Sequence, residues 1–411
     1  MKKLPKVILI CVIIVFSMTM VSIGCKTDAV EETIEEAVEE VAEAVEEAIE
    51  EVEETVEEST EEAMEYPEID FNPTEIYGLG PNGETAVNTR ELTLTDEEKA
   101  ELKDLGGTVV INFHGMGNFP NQMRFEGAEA TLIELGVEIL ASTDGQFDVN
   151  TLISNIESTL ALGADVMLSM PMDPDATAST YRTVLDTGTK LVFLEQAPTG
   201  FVGGVDYESV VSSDNYGIGI GSAHVTAKLI GYKGKVGMIV FDANFFVTNQ
   251  RDDGFKDTIA EFYPDIEIVA IDGFADASDM SLITVVADGM LANNPDIDCI
   301  YAGWDDPAAA VVTAVKSAGA DCIVTTTDIT GPSAIAIASN DILMGSDTSL
   351  PWDMGVGYAM AAAYTLLGKE VPVYAVPPHL PVLRENVIEA YKTAYNTDAP
   401  QEVIDAFNAA E

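Results

Sequence analysis

Six stretches of the sequence carry side chains suited to recognising hydroxyl groups. Each follows an apolar run typical of a buried strand, and together they hold amides, carboxylates, aromatic rings and one arginine: residues 114–121, 170–173, 195–196, 242–251, 304–305 and 328. Carboxylates and amides form paired hydrogen bonds with hydroxyls, and aromatic faces cover the C–H surface of a sugar. These residue types predict a site for an uncharged polyhydroxyl ligand.

Catalytic, metal and nucleotide chemistry find little support. The sequence has no GxSxG, HExxH or P-loop motif, and its Ser, His and Asp residues suggest no triad. Three histidines and four cysteines leave little material for a metal site. Gly217, Gly219 and Gly221 form GxGxG rather than GxGxxG, so we interpret them as allowing close helix packing. We expect no enzyme activity, no metal and no cofactor.

Length and charge narrow the class further. The chain has 411 residues, 47% of them hydrophobic, which is room for two or three globular domains. Its 71 acidic residues against 19 basic ones give a formal charge of −52. This balance argues against nucleic acid as a partner and against unaided docking on anionic lipid. We interpret the excess as a solvated acidic surface.

The N-terminus has the order of a secretory signal. Lys2, Lys3 and Lys6 precede an uncharged run over residues 7–23, which is short for a permanent membrane helix. The following Gly24-Cys25 resembles the end of a bacterial lipoprotein lipobox, although Ser22 stands where that family usually has Leu. The resemblance implies a signal peptide over residues 1–24 and a lipidated Cys25 at the mature N-terminus. An uncleaved signal anchor is the alternative.

Residues 25–66 form an acidic tether in this interpretation. Apolar residues recur at helical spacing from Ile34 to Val56, and most of the positions between them are glutamates. Repulsion between these glutamates weakens an isolated helix. A solvated spacer and a weak coiled coil both remain open.

The remainder alternates strands and helices. Apolar runs predict two series of buried strands: 108–114, 137–142, 164–170 and 190–195, then 235–241, 266–271, 298–304, 321–328 and 342–347. Such alternation is typical of α/β folds with doubly wound parallel sheets, here in two lobes. Ligands of these sheets bind at the carboxyl ends of the strands. The six polar stretches all follow strand ends, so this arrangement would bring them together at the binding site. Thr95 predicts a capping box, and Asp173-Pro174 and Asp306-Pro307 predict helix starts.

Short motifs occur in a fixed order along residues 107–396: Asn118, Met170-Pro171-Met172-Asp173, Ser213-Asp214-Asn215, Arg251-Asp252-Asp253-Gly254-Phe255, Trp304-Asp305-Asp306, Asp328 and Ser349. In this order they resemble the periplasmic sugar-binding proteins of ABC transporters, the branch that includes ribose-binding protein. The resemblance implies the type I periplasmic binding protein fold, with two lobes joined by three crossings near Ser213, Ser349 and His379. The first lobe would contain residues 107–212 and 350–378, the second 213–349 and 379–411, after an N-terminal extension over 67–106.

The same resemblance implies a function. We expect an exported, lipid-anchored and monomeric solute-binding protein on the outer face of the cytoplasmic membrane or in the periplasm. It would capture a small sugar or polyol and deliver it to an ABC permease. A component that presents its ligand to a chemoreceptor or sensor kinase is the alternative, and an enzyme is less favoured.

Ten residues are expected to bind the ligand: His114, Asn118, Glu195, Gln196, Phe246, Asn249, Arg251, Trp304, Asp305 and Asp328. Each also has a structural interpretation, such as a helix cap, a core residue or an ion pair. The family's Asp-Arg pair becomes Glu195-Gln196 here, and its Asn residues become Met170 and Trp304. These departures remove polar partners and add apolar surface, so we expect a ligand other than ribose.

Cys299 and Cys322 each open an Asp-Cys-Ile strand. The two strands are predicted neighbours, and an exported protein can keep disulfides. Side chains in register on parallel strands rarely reach disulfide geometry, so we predict two buried thiols.

Overall fold

The structure, a computed structural model, describes residues 66–243, 245–276 and 279–410. The signal segment, Cys25 and most of the tether lie outside the described residues, so their predictions are not tested here. The elements below all belong to a unit that spans Pro67–Glu411. Among the described residues, no helix is long and apolar enough to cross a membrane.

Seven parallel strands form the first sheet, in the order β1-β12-β6-β5-β4-β2-β3. Their bounds are β1 Val87–Asn88, β2 Thr108–Phe113, β3 Glu138–Asp144, β4 Val166–Ser169, β5 Lys190–Leu194, β6 Ser209–Val211 and β12 Tyr374–Val376. The associated helices are α1 Asp96–Leu105, α2 Phe119–Leu135, α3 Val149–Leu160, α4 Pro174–Asp186 and α10 Pro351–Leu366. We call these elements the first lobe.

Six strands form the second sheet, in the order β13-β11-β10-β9-β7-β8. They are β7 Gly234–Phe241, β8 Ile266–Phe274, β9 Cys299–Ala302, β10 Ile323–Thr327, β11 Leu343–Thr348 and β13 Leu380–Leu383, of which β13 alone is antiparallel to its neighbour. The helices of this second lobe are α5 Asn215–Leu229, α6 Phe246–Phe262, α7 Met280–Asn293, α8 Asp305–Ala318, α9 Gly331–Ala338, α11 Val387–Tyr395 and α12 Gln401–Ala409. The predicted class, two doubly wound α/β lobes, is confirmed.

The apolar runs form interior strands because helices cover both faces of each sheet. The interior strand β2 is buried from Val109 to Phe113, and β9 is buried throughout. Local capping then sets the helix starts. The Thr95 capping box is present, and the Asp173 side chain accepts hydrogen bonds from the first turn of α4. The prediction that Asp306 caps a helix starting at Pro307 is wrong, because α8 begins two residues earlier, at Asp305, with Trp304 as its N-cap.

The chain passes between the lobes three times. It leaves the first sheet after Val211, returns after Thr348, and leaves again after Val376. Ser213, Ser349 and His379 lie in or beside these crossings, where the sequence places them.

The segment before β2 contacts both lobes. The backbone N–H groups of Tyr77 and Gly78 donate to the Asp214 carboxylate, at 3.0 and 2.7 Å, and the Gln250 amide donates to the Leu79 carbonyl at 2.7 Å. Asp214 and Gln250 belong to the second lobe and its crossing. The next strand, β1, pairs with β12 at the edge of the first sheet. This segment therefore spans the hinge region.

The glycines after the first crossing serve helix packing. A Cβ atom at Gly219 would lie 2.2 Å from the Arg251 carbonyl oxygen, and one at Gly221 would lie 1.8 Å from an Asp347 carboxylate oxygen. Any larger residue would push α5 away from α6 and from β11. The interpretation of these glycines as packing residues is confirmed.

Cys299 and Cys322 are free and buried, as predicted. Residue 299 pairs in register with Ile323 in the parallel β9–β10 ladder, so the two cysteines are near neighbours without being bonded. Burial raises the pKa of the Cys299 thiol to about 12, which keeps it protonated and unreactive.

Candidate functional site

A cavity of about 440 Å³ lies where the two lobes face each other. This volume is in the range of small-molecule sites. Its lining comes from both lobes and from the carboxyl ends of both sheets: His114, Asn118, Phe119, Pro120, Asn121, Arg124, Phe147, Met170 and Glu195 from the first lobe, and Phe241, Phe245, Val247, Thr248, Arg251, Trp304, Asp305, Asp306, Asp328, Thr330 and Ser349 from the second lobe or the second crossing.

Arg251 is held on the second-lobe wall by a network of hydrogen bonds. Its Nη1 lies 2.8 Å from Asp328 Oδ2 and donates to Thr327 Oγ1 at 2.7 Å, while its Nε donates to Asn215 Oδ1 at 3.0 Å. The side chain is only 6% exposed. A guanidinium fixed by three partners presents its remaining donors in one direction, which suits recognition of an oxygen-rich ligand.

Asp328 stays ionised beside it. The residue directly follows β10 in a left-handed backbone conformation, with φ of 61°, and Ser349 donates to Oδ1 from both its hydroxyl and its backbone N–H, at 2.6 and 3.1 Å. Burial by itself would raise the pKa of this carboxyl. The charge of Arg251 and the Ser349 hydrogen bonds outweigh burial and hold the pKa below its usual value.

A second ion pair lines the first-lobe wall. Arg124 Nη1 lies 2.9 Å from Glu195 Oε1, with side chains 12% and 7% exposed. Ser212 donates to Glu195 Oε2 at 2.7 Å, and Arg124 also donates to Asn121 Oδ1 at 3.2 Å. Each lobe thus brings one guanidinium–carboxylate pair to the cavity.

His114 is a neutral part of the first-lobe wall. Burial, reinforced by the charge of Arg124, lowers its pKa to about 3. Asn121 Nδ2 lies 3.0 Å from His114 Nε2 and 2.9 Å from the Gly115 carbonyl oxygen. Because an amide N–H can only donate, Nε2 is the acceptor and the ring proton sits on Nδ1.

Aromatic rings line both walls. Trp304 packs against Phe241 and Phe274, with ring centroids 6.0 and 5.5 Å apart, so its plane is fixed from behind. On the first lobe, Phe147 lies edge-on to His114 at 5.5 Å and is 47% exposed. These rings supply apolar faces for the C–H surface of a ligand.

Asp305 combines burial with local hydrogen bonds. Thr330 Oγ1 donates to its Oδ2 at the point where α9 begins. Burial raises the pKa of the Asp305 carboxyl to about 6, although the Thr330 hydrogen bond opposes the rise. This side chain is therefore an acceptor that titrates close to neutrality.

Asn118 serves two roles at once. Its side chain accepts a hydrogen bond from the Asn121 N–H at 3.0 Å and so caps α2, while the residue also lines the cavity. The cap fixes the first turn of the helix that carries Arg124.

Comparison with known proteins places this architecture. A sequence model described as "Periplasmic binding protein domain" matches residues 108–370, more than half of the chain. The chain belongs to the periplasmic binding protein family. The assignment agrees with the expectation of a binding protein and not an enzyme.

Individual members of the periplasmic binding protein family are distant. The chain is 26% identical over 200 residues to a ribose import binding protein of Bacillus subtilis, covering 48% of this chain and 62% of that one. It therefore spans less than two thirds of that relative's length. It is 23% identical over 313 residues to a xylitol-binding protein of Mycolicibacterium smegmatis, covering 74% and 81%. The structure of a periplasmic ribose ABC transporter protein from Conexibacter woesei superposes with a TM-score of 0.64 at 20% identity, covering 71% and 98%. This last likeness concerns the fold.

The binding-protein cleft contains seven of the ten residues predicted to bind ligand: His114, Asn118, Glu195, Arg251, Trp304, Asp305 and Asp328. Gln196, Phe246 and Asn249 are not among the described residues that line it. Gln196 is buried, and its amide donates to the Pro171 carbonyl at 2.8 Å. Phe246 is the first residue of α6, and Asn249 lies one turn further on.

Sequence reasoning missed several lining residues, of which Arg124 matters most. Arg124 and Arg251 both lie inside helices, but the polar stretch after β7 extends to Arg251, whereas the stretch after β2 ends at Asn121, before Arg124. One signal was present: Arg124 precedes Gly127 by three residues, as Arg251 precedes Gly254. Among the described residues, no group of three or more His, Cys, Asp or Glu side chains is placed to hold a metal ion.

Proposed function

We propose that this protein is a solute-binding protein that closes its lobes around a small sugar or polyol and delivers it to an ABC permease. The observation that carries the proposal is the pair of guanidinium–carboxylate ion pairs, Arg124–Glu195 and Arg251–Asp328, that face one cavity from opposite lobes. Each pair offers donors and acceptors side by side, which is what neighbouring hydroxyl groups require.

The charges of the cavity support a neutral ligand. Each guanidinium is already balanced by a carboxylate at hydrogen-bond distance, at 2.9 Å in the first lobe and 2.8 Å in the second. A bare phosphate or carboxylate ligand would meet the further acidic groups Asp305 and Asp306 without a free cation to balance it. A hydroxyl group can donate to the carboxylates and accept from the guanidinium groups without carrying charge into the site.

The relatives point in the same direction. One is named for ribose and another for xylitol. Met170 and Trp304 make part of this cavity apolar, which supports a ligand other than ribose. A polyol or a sugar with a larger C–H face fits that surface.

Two further parts of the proposal concern regions around the lobes. Cys25 would carry the lipid that anchors the protein on the outer face of the membrane, and residues 25–66 would act as the tether. The lobe boundaries proposed are 107–212 with 350–378, and 213–349 with 379–411, and residues 67–106 would form an extension whose strand β1 adds to the first sheet. Gln196, Phe246 and Asn249 would influence the ligand through the cavity residues beside them.

Ligand binding is tested by a thermal-shift screen of the purified full chain against pentoses, hexoses, tetritols and pentitols. Amino acids, peptides and nucleosides belong on the same plate. A ligand at ~100 times its Kd adds ~2.7 kcal/mol to the folded state, so at least one sugar or polyol should raise Tm. Stabilisation by an amino acid, peptide or nucleoside alone would contradict the ligand class.

A matched pair of variants then tests the site. Arg251→Ala should weaken binding of the identified ligand about 10- to 150-fold, because a buried charge-assisted hydrogen bond is lost. Arg182→Ala is the control, since Arg182 pairs with Asp206 and Gly200 on the surface of the first lobe, outside the cavity. Equal affinities of the two variants would refute the site.

The lipid anchor has its own test. Labelled fatty acid should be incorporated into the wild type but not into Cys25→Ser, and the variant should leave the membrane fraction or accumulate as precursor. Lipid labelling that persists in Cys25→Ser would remove the anchor from the proposal without affecting ligand binding.

A further inference from the structure

The two lobes repeat one arrangement of strands. The core of the first sheet has the order β6-β5-β4-β2-β3, and that of the second has the order β11-β10-β9-β7-β8. In chain order, β2 thus corresponds to β7, β5 to β10, and β6 to β11. The helix after β2 is α2 and the helix after β7 is α6, and each has 17 residues.

The ion pairs occupy equivalent positions in this repeat. Arg124 and Arg251 are each the sixth residue of their helix. Glu195 directly follows β5 and Asp328 directly follows β10, and both have a left-handed backbone, with φ of 66° and 61°. Non-glycine residues rarely adopt this conformation, so its occurrence at both acids marks the two turns as equivalent.

A serine completes each arrangement. Ser212 follows β6 and donates to Glu195 at 2.7 Å, while Ser349 follows β11 and donates to Asp328 at 2.6 Å. In each lobe one carboxylate oxygen thus bonds to the serine and the other to the arginine. An amide supports each guanidinium, Asn121 for the first and Asn215 for the second.

The helices that carry the arginines are also fixed in the same way. A Cβ atom at Gly355 would lie 2.1 Å from the Arg124 carbonyl oxygen, and one at Gly219 would lie 2.2 Å from the Arg251 carbonyl oxygen. Close contact of a partner helix at the arginine therefore sets the height of both side chains above their sheets. This shared construction aims both guanidinium groups at the same interlobe space.

One difference favours a ligand role for Arg124. The Nε of Arg251 donates to Asn215, whereas the Nε of Arg124 is buried without a hydrogen-bond partner among the described residues. Buried donors are normally satisfied, so Arg124 has fewer protein partners than Arg251 and keeps donor capacity for a ligand in the cavity that it lines.

From these observations, and resting on the proposed function above, we infer that Arg124 is the first-lobe counterpart of Arg251 in ligand binding. The site then selects a polyol that presents hydroxyl groups at both of its ends, one end to each arginine–carboxylate pair. An open-chain pentitol meets this requirement because its two ends are chemically alike. A ligand that lacks a hydroxyl at one end would leave one pair without a partner.

The test uses xylitol, ribitol and their 1-deoxy analogues with the purified full chain, measured by calorimetric titration. In the wild type the deoxy analogue should bind about 10- to 150-fold more weakly than its parent pentitol, because one charge-assisted hydrogen bond is lost. Arg124→Met should weaken binding of the pentitol by the same order. It should also bind the deoxy analogue as tightly as the pentitol, since the deoxy end can then lie against the first lobe. Arg251→Met should remove the discrimination in the same way.

Controls separate binding from folding. Arg124→Lys keeps the positive charge beside Glu195 and should fold and retain part of the affinity even where Arg124→Met is unstable. Arg182→Met is the matched control in the same lobe. If Arg124→Met weakens pentitol and deoxy analogue by the same factor, Arg124 acts only on the fold and the inference fails.

Other outcomes are equally informative. An Arg124→Met protein that binds within twofold of the wild type, while Arg251→Met does not, would overturn the inference and leave the proposed function intact. Binding of D-ribose without binding of either pentitol would overturn the selection of two-ended polyols. If no sugar or polyol binds the wild type, the proposed function itself fails.

Discussion

The first-lobe wall of the cavity and the second-lobe wall share one ion-paired core but differ in what surrounds it. Around Arg124 and Glu195 lie a neutral histidine, a capping asparagine and the half-exposed ring of Phe147. Around Arg251 and Asp328 lie Trp304, fixed by two phenylalanines, and a titratable aspartate. In the proposed function, the repeated part would recognise hydroxyl groups, and the unequal parts would distinguish one ligand from another.

Breaking the two ion pairs should give the largest effect on stability. Asp328→Ala leaves Arg251 buried without its counter-ion, and Glu195→Ala does the same to Arg124. Removing one partner of a buried pair costs ~3–5 kcal/mol. The loss should be larger for Asp328→Ala, because Arg251 is 6% exposed and Arg124 is 12% exposed. Urea unfolding without ligand measures both.

The control for this comparison is Asp341→Ala. Asp341 pairs with Lys316 on the surface, where both side chains are about half exposed, and such pairs contribute up to about 1 kcal/mol. A change in Asp328→Ala no larger than in Asp341→Ala would contradict the importance of the buried pair.

Gly→Ala substitutions at the helix contacts should destabilise the two lobes to a similar extent. A Cβ atom at Gly254 would lie 2.3 Å from the Tyr216 carbonyl oxygen, and one at Gly127 would lie 2.6 Å from the Trp352 carbonyl oxygen. Gly254→Ala and Gly127→Ala should each lower the free energy of unfolding by ~1–3 kcal/mol through overpacking. Gly289→Ala in α7 is the control: no atom lies within 4 Å of its added Cβ, so it should be neutral or stabilising. A large loss at one glycine only would break the equivalence of the lobes.

The aromatic residues should show the asymmetry. Trp304→Ala should weaken ligand binding about tenfold, whereas Phe147→Ala should weaken it only about threefold, because the indole is the larger ring and is held in place by Phe241 and Phe274. Titration calorimetry with the ligand from the thermal-shift screen measures both. Phe262→Ala, a partly exposed ring outside the cavity, is the control. The opposite order would place the ligand's apolar face against the first lobe.

The smallest expected effect is on pH dependence. Because the pKa of Asp305 is raised to about 6, its carboxylate accepts hydrogen bonds above that pH and is protonated below it. Affinity should therefore fall about threefold from pH 7.5 to pH 5, since charge-assisted hydrogen bonds are stronger than neutral ones. Asp328, whose pKa is lowered, stays ionised, and His114, with a pKa of about 3, stays neutral.

Variants locate this titration on one wall. Asp305→Asn should flatten the pH profile between 5 and 7.5, whereas His114→Asn should leave its shape unchanged. A profile that flattens with His114→Asn instead would assign the titrating group to the first lobe.

Sequence patterns predicted most of the fold and part of the site. The apolar runs located the predicted strands, because parallel strands covered on both faces must be continuously apolar. Strand ends located seven of the ten predicted residues, since ligands of such sheets bind there. The predicted N-cap at Asp306 was wrong. Two aspartates precede Pro307, so the local pattern leaves the start of the helix ambiguous. In the structure α8 begins earlier, where Trp304 packs against Phe241 and Phe274.

Residues next to a correct position were the least predictable. On α6, Val247, Thr248 and Arg251 line the cavity while Phe246 and Asn249 do not. This selection depends on the rotation of the helix about its axis, which packing against α5 sets. The Gln196 side chain points away from the cavity, to the Pro171 carbonyl, because the left-handed turn at Glu195 redirects the chain.

The sequence by itself determined the two-lobed architecture, the order of its strands along the chain and the chemical character of the strand ends. These follow from local patterns of burial and capping that need only neighbouring residues. Only the tertiary structure decided that Arg124 pairs with Glu195 and stands as the counterpart of Arg251. Arg124 and Glu195 are distant in the chain. They make contact because packing fixes the height of α2 above its sheet and because the chain turns at the end of β5.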